Sequence, residues 1–183
     1  IFMSGNAASG NIEGFVYVSL NAFHQSAVNF MGQNAGAGQY KRVSKTLWIC
    51  LGSVAVTGFV LGGLAYAFGP SLLSLYITDS QEAIGYGMIR LSIICLTYCI
   101  CGLMDVSTGA LRGIGESFIP MVISVLGVCG IRIGWIMTIF QIPAFHTPQS
   151  LYTSYPISWG LTFLCQMAAF LYVYRKHTKD QPL

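Results

Sequence analysis

The stretch TLWICLGSVAVTGFVLGGLAYAFGP, residues 46–70, holds no charged side chain and no period-two alternation of polar and apolar residues. About 20 such residues in an α-helix cross the hydrocarbon core of a bilayer. Lipid admits only helices or closed barrels, because every backbone polar group there must be bonded internally. A long run without alternation is not a barrel strand. This stretch therefore reads as a membrane-spanning helix that stops at the Gly69-Pro70 break.

The remainder of the 183-residue chain has the same character. Lys and Arg number 9 and Asp and Glu 6, so 8% of residues are charged and 54% are hydrophobic. A soluble domain carries about 25% charge. With a mean hydropathy of +0.64 the chain has too little polar surface to cover itself in water. Collagen, coiled coil and disordered tail are excluded by the absent Gly period, the absent heptad charges and the apolar mass. Basic residues come in short clusters, which argues against nucleic acid as a partner; membrane lipid is the expected surrounding. The six cysteines sit in apolar stretches without a paired CxxC, so they read as reduced, buried side chains and not as metal ligands.

Five spans follow, at roughly 12–31, 46–68, 83–108, 118–141 and 155–174. The fold class is all-α, a polytopic membrane helix bundle. Lys41, Arg42 and Lys45 follow the first span, Arg112 follows the third, and Arg175, Lys176 and Lys179 follow the fifth. The intervening connections carry Asp79 and Glu82, or no charge but His146. Basic residues on alternate connections place those connections and the C-terminus in the cytoplasm. Leu72–Ile77 reads as a short amphipathic piece at the outer interface. Tyr152, Tyr155 and Trp159 read as an outer aromatic belt. The opening IFMSGNAASGN reads as a helix end and a polar connection facing outside, and the chain as a fragment lacking its N-terminal part.

Two cytoplasmic turns are rich in glycine: GQNAGAGQYKR from Gly32, and GALRGIGES from Gly109. Glycine stops helices and lets backbones approach. The turns lie 77 residues apart and form a weak internal echo of one helical hairpin. Neither contains a GxxxxGK[ST] phosphate cradle or follows a strand. Together with DVSTGALRGIGES-FIPM and YPISW, in this order, they make the chain similar to the C-terminal half of a multidrug and toxic compound extrusion (MATE) transporter, from about Ile12 to Lys176. The resemblance implies two six-helix lobes, of which the spans here are helices eight to twelve, with Ile1–Ser4 the stub of helix seven. It further implies secondary active export of cationic or amphipathic small molecules in exchange for Na⁺ or H⁺, in a bacterial inner (plasma) membrane. No cofactor beyond the coupling ion is implied. The missing N-terminal lobe of the same protein is the expected partner.

Asp105 is the first candidate for cation coupling. A carboxylate inside a span is costly and usually faces a cavity; the resemblance associates a carboxylate in this helix with cation binding. The structural alternative is an interfacial Asp bonded to Ser107, Thr108 or Arg112. Glu13 is the second candidate, against a first-turn carboxylate favouring the helix dipole with Asn11 as cap. Asn21, His24 and Gln25 share one helical face and either line a polar cavity or bond neighbouring helices. Arg90 is expected to snorkel outward. Arg132 lies deep in the fourth span and needs a partner; Glu13, helix-end carbonyls or a carboxylate of the absent half are candidates, and a structural ion pair is favoured over substrate binding. Gly58, Gly62 and Gly63 read as a small-residue packing face. An enzyme is not expected: there is no Ser-His-Asp set, HExxH or paired-acid motif. The alternatives are a flippase for lipid-linked saccharides, which wants several cationic residues around a cavity, and a non-transporting membrane subunit.

Overall fold

A computed structural model describes residues 2–78 and 80–179, the side chain of Lys179 excepted. Ile1, Asp79 and residues 180–183 lie outside the described residues, and with them part of the expected N-terminal stub and of the acidic connection. Among the described residues every regular element is helical: α1 (Phe2–Gly36), α2 (Tyr40–Ala67), α3 (Gly69–Tyr76), α4 (Gln81–Ile94), α5 (Tyr98–Gly113), α6 (Phe118–Ser124), α7 (Ile131–Met137) and α8 (Pro148–Lys179). A 3₁₀ turn, Cys95–Thr97, joins α4 to α5, and a π-helical segment, Val125–Gly130, joins α6 to α7. Four stretches are long and apolar enough to cross a membrane: Tyr40–Ala67, Gln81–Gly113, Phe118–Gln141 and Pro148–Thr178. The first expected span belongs to α1, which at 35 residues is longer than a span needs but is diluted by polar side chains.

The opening stretch is not a connection. Phe2–Asn11 forms the first turns of α1, with Ser9 buried and Asn6 partly buried against the bundle while Ser4 and Asn11 stay exposed. Ser9 is fully buried, and its hydroxyl donates to the carbonyls of Gly5 and Gly87 at 2.9 and 3.0 Å. This satisfies one α4 carbonyl across the helix contact and fixes the α1–α4 register. α1 also lies along α5, the longest contact in the fold.

The third span bends where Thr97 sits. Its hydroxyl donates to the carbonyls of Ile93 and Ile94 at 2.6 and 3.2 Å, competing with the helix ladder and tightening the turn. Gly62 and Gly58 of α2 receive the bent segment. A Cβ on Gly62 would strike the Cys95 carbonyl, and one on Gly58 would come within 2.9 Å of the Cys99 Cα. Gly63 meets nothing, so it does not belong to that packing face.

The two glycine-rich turns repeat one geometry. Each ends at a left-handed glycine, Gly38 at φ 69° and Gly115 at φ 96°. In each, the next amide donates five residues back, Gln39 to the Asn34 carbonyl at 2.8 Å and Glu116 to Leu111 at 3.0 Å. The side chain of Asn34 instead donates to Phe30, within its own helix. The ends of α1 and α5 meet at Gly32 and Gly113, and Tyr174 of α8 donates to the Tyr40 carbonyl at 3.2 Å. Lys41, Arg42, Lys45, Arg112, Arg175 and Lys176 consequently share one end of the bundle, as the alternation of charge requires.

The aromatic belt is a correction. Tyr152 and Trp159 are buried, and Trp159 stacks on Tyr98 of α5 with ring centroids 5.7 Å apart. Their rings are core, not headgroup anchors. The glycine contacts lead to a test. Gly62→Ala should lower the melting temperature of the detergent-purified protein by several degrees, an overpacking cost of about 1–3 kcal/mol. Gly63→Ala, where nothing is in reach, should leave it unchanged.

Candidate functional site

One cavity of about 480 Å³ lies between α1, α5 and the α6–π segment. That is within the usual range for small-molecule pockets, about 300–1,000 Å³. It brings together four residues anticipated from sequence: Asn21, His24 and Gln25 from α1, and Asp105 from α5. Tyr17, Met104, Thr108, Arg112, Ser124, Val125, Val128 and Cys129 complete the wall. Tyr17 precedes Asn21 by one turn, and Thr108 and Arg112 follow Asp105 by one and two. Helical spacing was the available signal for these residues.

α1 and α5 are locked at the level of Asp105. His24 Nδ1 lies 2.7 Å from the Asp105 carbonyl oxygen. A carbonyl only accepts, so Nδ1 carries the hydrogen, and Nε2 has no partner among the described residues. Gly109 makes this approach possible, since a Cβ there would sit 2.7 Å from the His24 carbonyl. Asp105 itself is half-buried, and its Oδ2 is buried without a hydrogen-bond partner among the described residues. The interfacial alternative offered Asp105 a bond to Ser107, Thr108 or Arg112, and among the described residues no ion pair joins Asp105 to Arg112. Both hydroxyls donate instead along their own helix, to Leu103 at 2.9 Å and Met104 at 3.1 Å. Asp105 is thus a carboxylate held in a polar cavity with accepting capacity unused.

Glu13 sits elsewhere, 5% exposed near the opposite end of α1. Arg90 grips it in a bidentate pair, Nε to Oε1 at 2.6 Å and Nη2 to Oε2 at 2.7 Å. Arg90 Nη1 donates to Asn6 Oδ1, which also accepts from the Tyr152 hydroxyl at 3.0 Å. Arg90 does not snorkel outward. An unpaired guanidinium costs far more in this setting than a bidentate pair between α1 and α4. Both carboxylate oxygens of Glu13 accept from Arg90, and Glu13 does not line the cavity that holds Asp105.

Arg132 has no carboxylate partner among the described residues. Its Nε donates to Ser158 Oγ at 3.2 Å, and its guanidinium carbon lies 3.8 Å from the Tyr155 ring centroid and 5.6 Å from that of Trp159. Of the partners expected for Arg132, Glu13 is taken by Arg90, and among the described residues Arg132 meets α8 by cation–π contact. Gln166, which the sequence reading passed over, is fully buried in α8 and donates to Ser124 Oγ at 2.9 Å on the cavity wall. Cys129 and Cys165 are exposed, against the expectation of uniform burial.

The sequence profile of the MatE family matches residues 1–137, which takes in α1 to α7 and every cavity residue. The chain is also similar to the "Probable multidrug resistance protein YoeA" of Bacillus subtilis (strain 168), with 22% identity over 147 residues. That alignment covers 80% of this chain and 31% of the relative, so the chain spans about a third of the relative's length.

Two outcomes follow from this geometry. Glu13→Gln should destabilise the bundle by about 3–5 kcal/mol by stranding Arg90, read as a fall in the denaturation midpoint. In variants keeping one cysteine, a charged methanethiosulfonate should label Cys129, on the cavity wall, and leave buried Cys101 unmodified.

Proposed function

The chain belongs to the MatE family of multipass membrane proteins, and from that footing we propose that it is part of a secondary active exporter of cationic or amphipathic small molecules, driven by Na⁺ or H⁺. The observation that supports this most is Asp105, an intramembrane carboxylate with an unused oxygen inside a cavity of drug-accommodating size. A carboxylate so placed gains from a cation more than any other residue of the wall. The same oxygen can accept a proton, a Na⁺ or the ammonium of a substrate, and only one of them at a time.

That exclusivity supplies coupling. Export against a gradient needs an ion and a substrate whose affinities differ between inward- and outward-open states. An ion entering from outside displaces the substrate from Asp105, and loss of the ion to the cytoplasm restores the site. Asn21 and Gln25 offer amide donors and acceptors to the substrate. His24, tied to the Asp105 backbone, transmits a movement of α1 to the carboxylate. The basic end of the bundle, with the C-terminus, faces the cytoplasm of a bacterial inner membrane in this reading. The rest of the transporter, a second lobe, closes the central cavity.

The flippase reading has less support. It asks for several free cations along one cavity, and Arg90 is consumed by Glu13.

The test uses the intact protein in cells loaded with a fluorescent cationic dye. Asp105→Asn should reduce gradient-dependent efflux by about ten-fold or more, the scale of one charge-assisted contact, with membrane expression unchanged. Asp105→Glu should retain part of it. Wild-type efflux by Asp105→Asn would reject the coupling role.

A further inference from the structure

Hydroxyls in these helices are commonly spent on their own backbone. Ser107, Thr108, Ser158 and Thr162 each donate to a carbonyl three or four residues back, the usual habit of serine and threonine inside a helix. Ser124, at the end of α6 where the π-helical segment begins, does not. Its Oγ accepts from Gln166 Nε2 at 2.9 Å, and its own hydrogen goes to no described residue. Ser124 also lines the cavity that holds Asp105. It presents that cavity with a hydroxyl donor that is held in place and not used.

Gln166 is fully buried in α8, and its Oε1 has no hydrogen-bond partner among the described residues. A leucine or methionine would fill the same space without the cost of that oxygen, so packing alone does not account for an amide there. Two contacts set its place. Gly127 lets α8 close on the π-helical segment, since a Cβ there would strike the Thr162 hydroxyl, one turn before Gln166. α5 and α8 run in the same direction, and Trp159 stacks on Tyr98. Asp105 follows Tyr98, and Gln166 follows Trp159, by two helical turns, about 10 Å. The bond from Gln166 to Ser124 therefore lies at the level of Asp105.

We propose that Ser124 is a specificity-determining donor: its hydroxyl, oriented by Gln166, bonds a carbonyl or ether oxygen of the exported compound while the compound's cationic end is drawn to Asp105. Gln166 is a positioning residue that acts through Ser124. The proposal rests on the export reading above and adds to it the feature by which one cation is chosen over another, an acceptor oxygen remote from the charge.

The experiment measures binding of two matched aromatic amines to the purified intact protein in phosphatidylcholine vesicles, one with a ketone at the end remote from the nitrogen and one with a methylene there. The wild type should bind the ketone about five-fold more tightly, the scale of one neutral hydrogen bond. Ser124→Ala should bring the two affinities together by weakening the ketone, and Ser124→Thr, which keeps the hydroxyl, should restore part of the difference. Gln166→Met, which keeps the volume, should also remove the preference, because the freed hydroxyl turns back to its own helix. In a Ser124→Ala background Gln166→Met should change the ratio no further. A ketone-to-methylene ratio unmoved by Ser124→Ala overturns the proposal. A preference that survives or rises in Gln166→Met overturns the positioning role, since the hydroxyl hydrogen was then either free without Gln166 or bonded to it. Equal affinity of both amines for wild type and Asp105→Asn counts against the export reading and against Ser124 together. If the wild type does prefer the ketone and Asp105→Asn weakens neither amine, the export reading alone fails, and the ratio still decides the role of Ser124.

Discussion

A charge carried into the hydrocarbon layer must meet an opposite charge, an aromatic face or a pocket of water, and the packing of this bundle follows from how each is met. Glu13 and Arg90 neutralise each other between α1 and α4. Arg132 lies on the rings of α8. Asp105 is lodged in the cavity that α1 and α5 enclose with the α6–π segment. The paired charges hold helices together, and Asp105, with an unpartnered oxygen, lines a cavity.

Helix approach makes that distribution possible. Gly109 brings the His24 turn against α5, so that imidazole and carboxylate share one level. Gly58 and Gly62 admit the bend that Thr97 introduces at the top of α5. The π-helical segment adds a residue's width to the turn carrying Val128 and Cys129, and it has no buried residue of its own. Such segments recur at functional sites because they break the regular bonding of a helix. Here the break forms the wall opposite Asp105.

Much of this was legible beforehand. The charge-free runs and the alternation of Lys and Arg gave the helices and the shared basic end, since both follow from bilayer thickness and charge alone. Asn21, His24 and Gln25 were readable as one face from their spacing. That Asp105 joins them from 80 residues further on was not, because no local pattern encodes which helix lies against α1. Arg90 was misread for the same reason: alone it resembles an interfacial residue, and only the α1–α4 contact pairs it with Glu13. Phe2–Asn11 looked like a loop because Gly5, Asn6, Ser9 and Gly10 are poor helix formers. Tertiary contacts to α4 and Tyr152 hold that stretch helical nonetheless.

The central claim is that one oxygen pair, on Asp105, serves ion and substrate by turns. The most direct measurement counts ions displaced from the purified intact protein as a cationic dye binds, with an ion-selective electrode for Na⁺ and a pH indicator for H⁺. The account predicts an ion released for each dye bound, and dye affinity that weakens in proportion as the ion is raised. Dye binding that releases no ion and ignores ion concentration would contradict it.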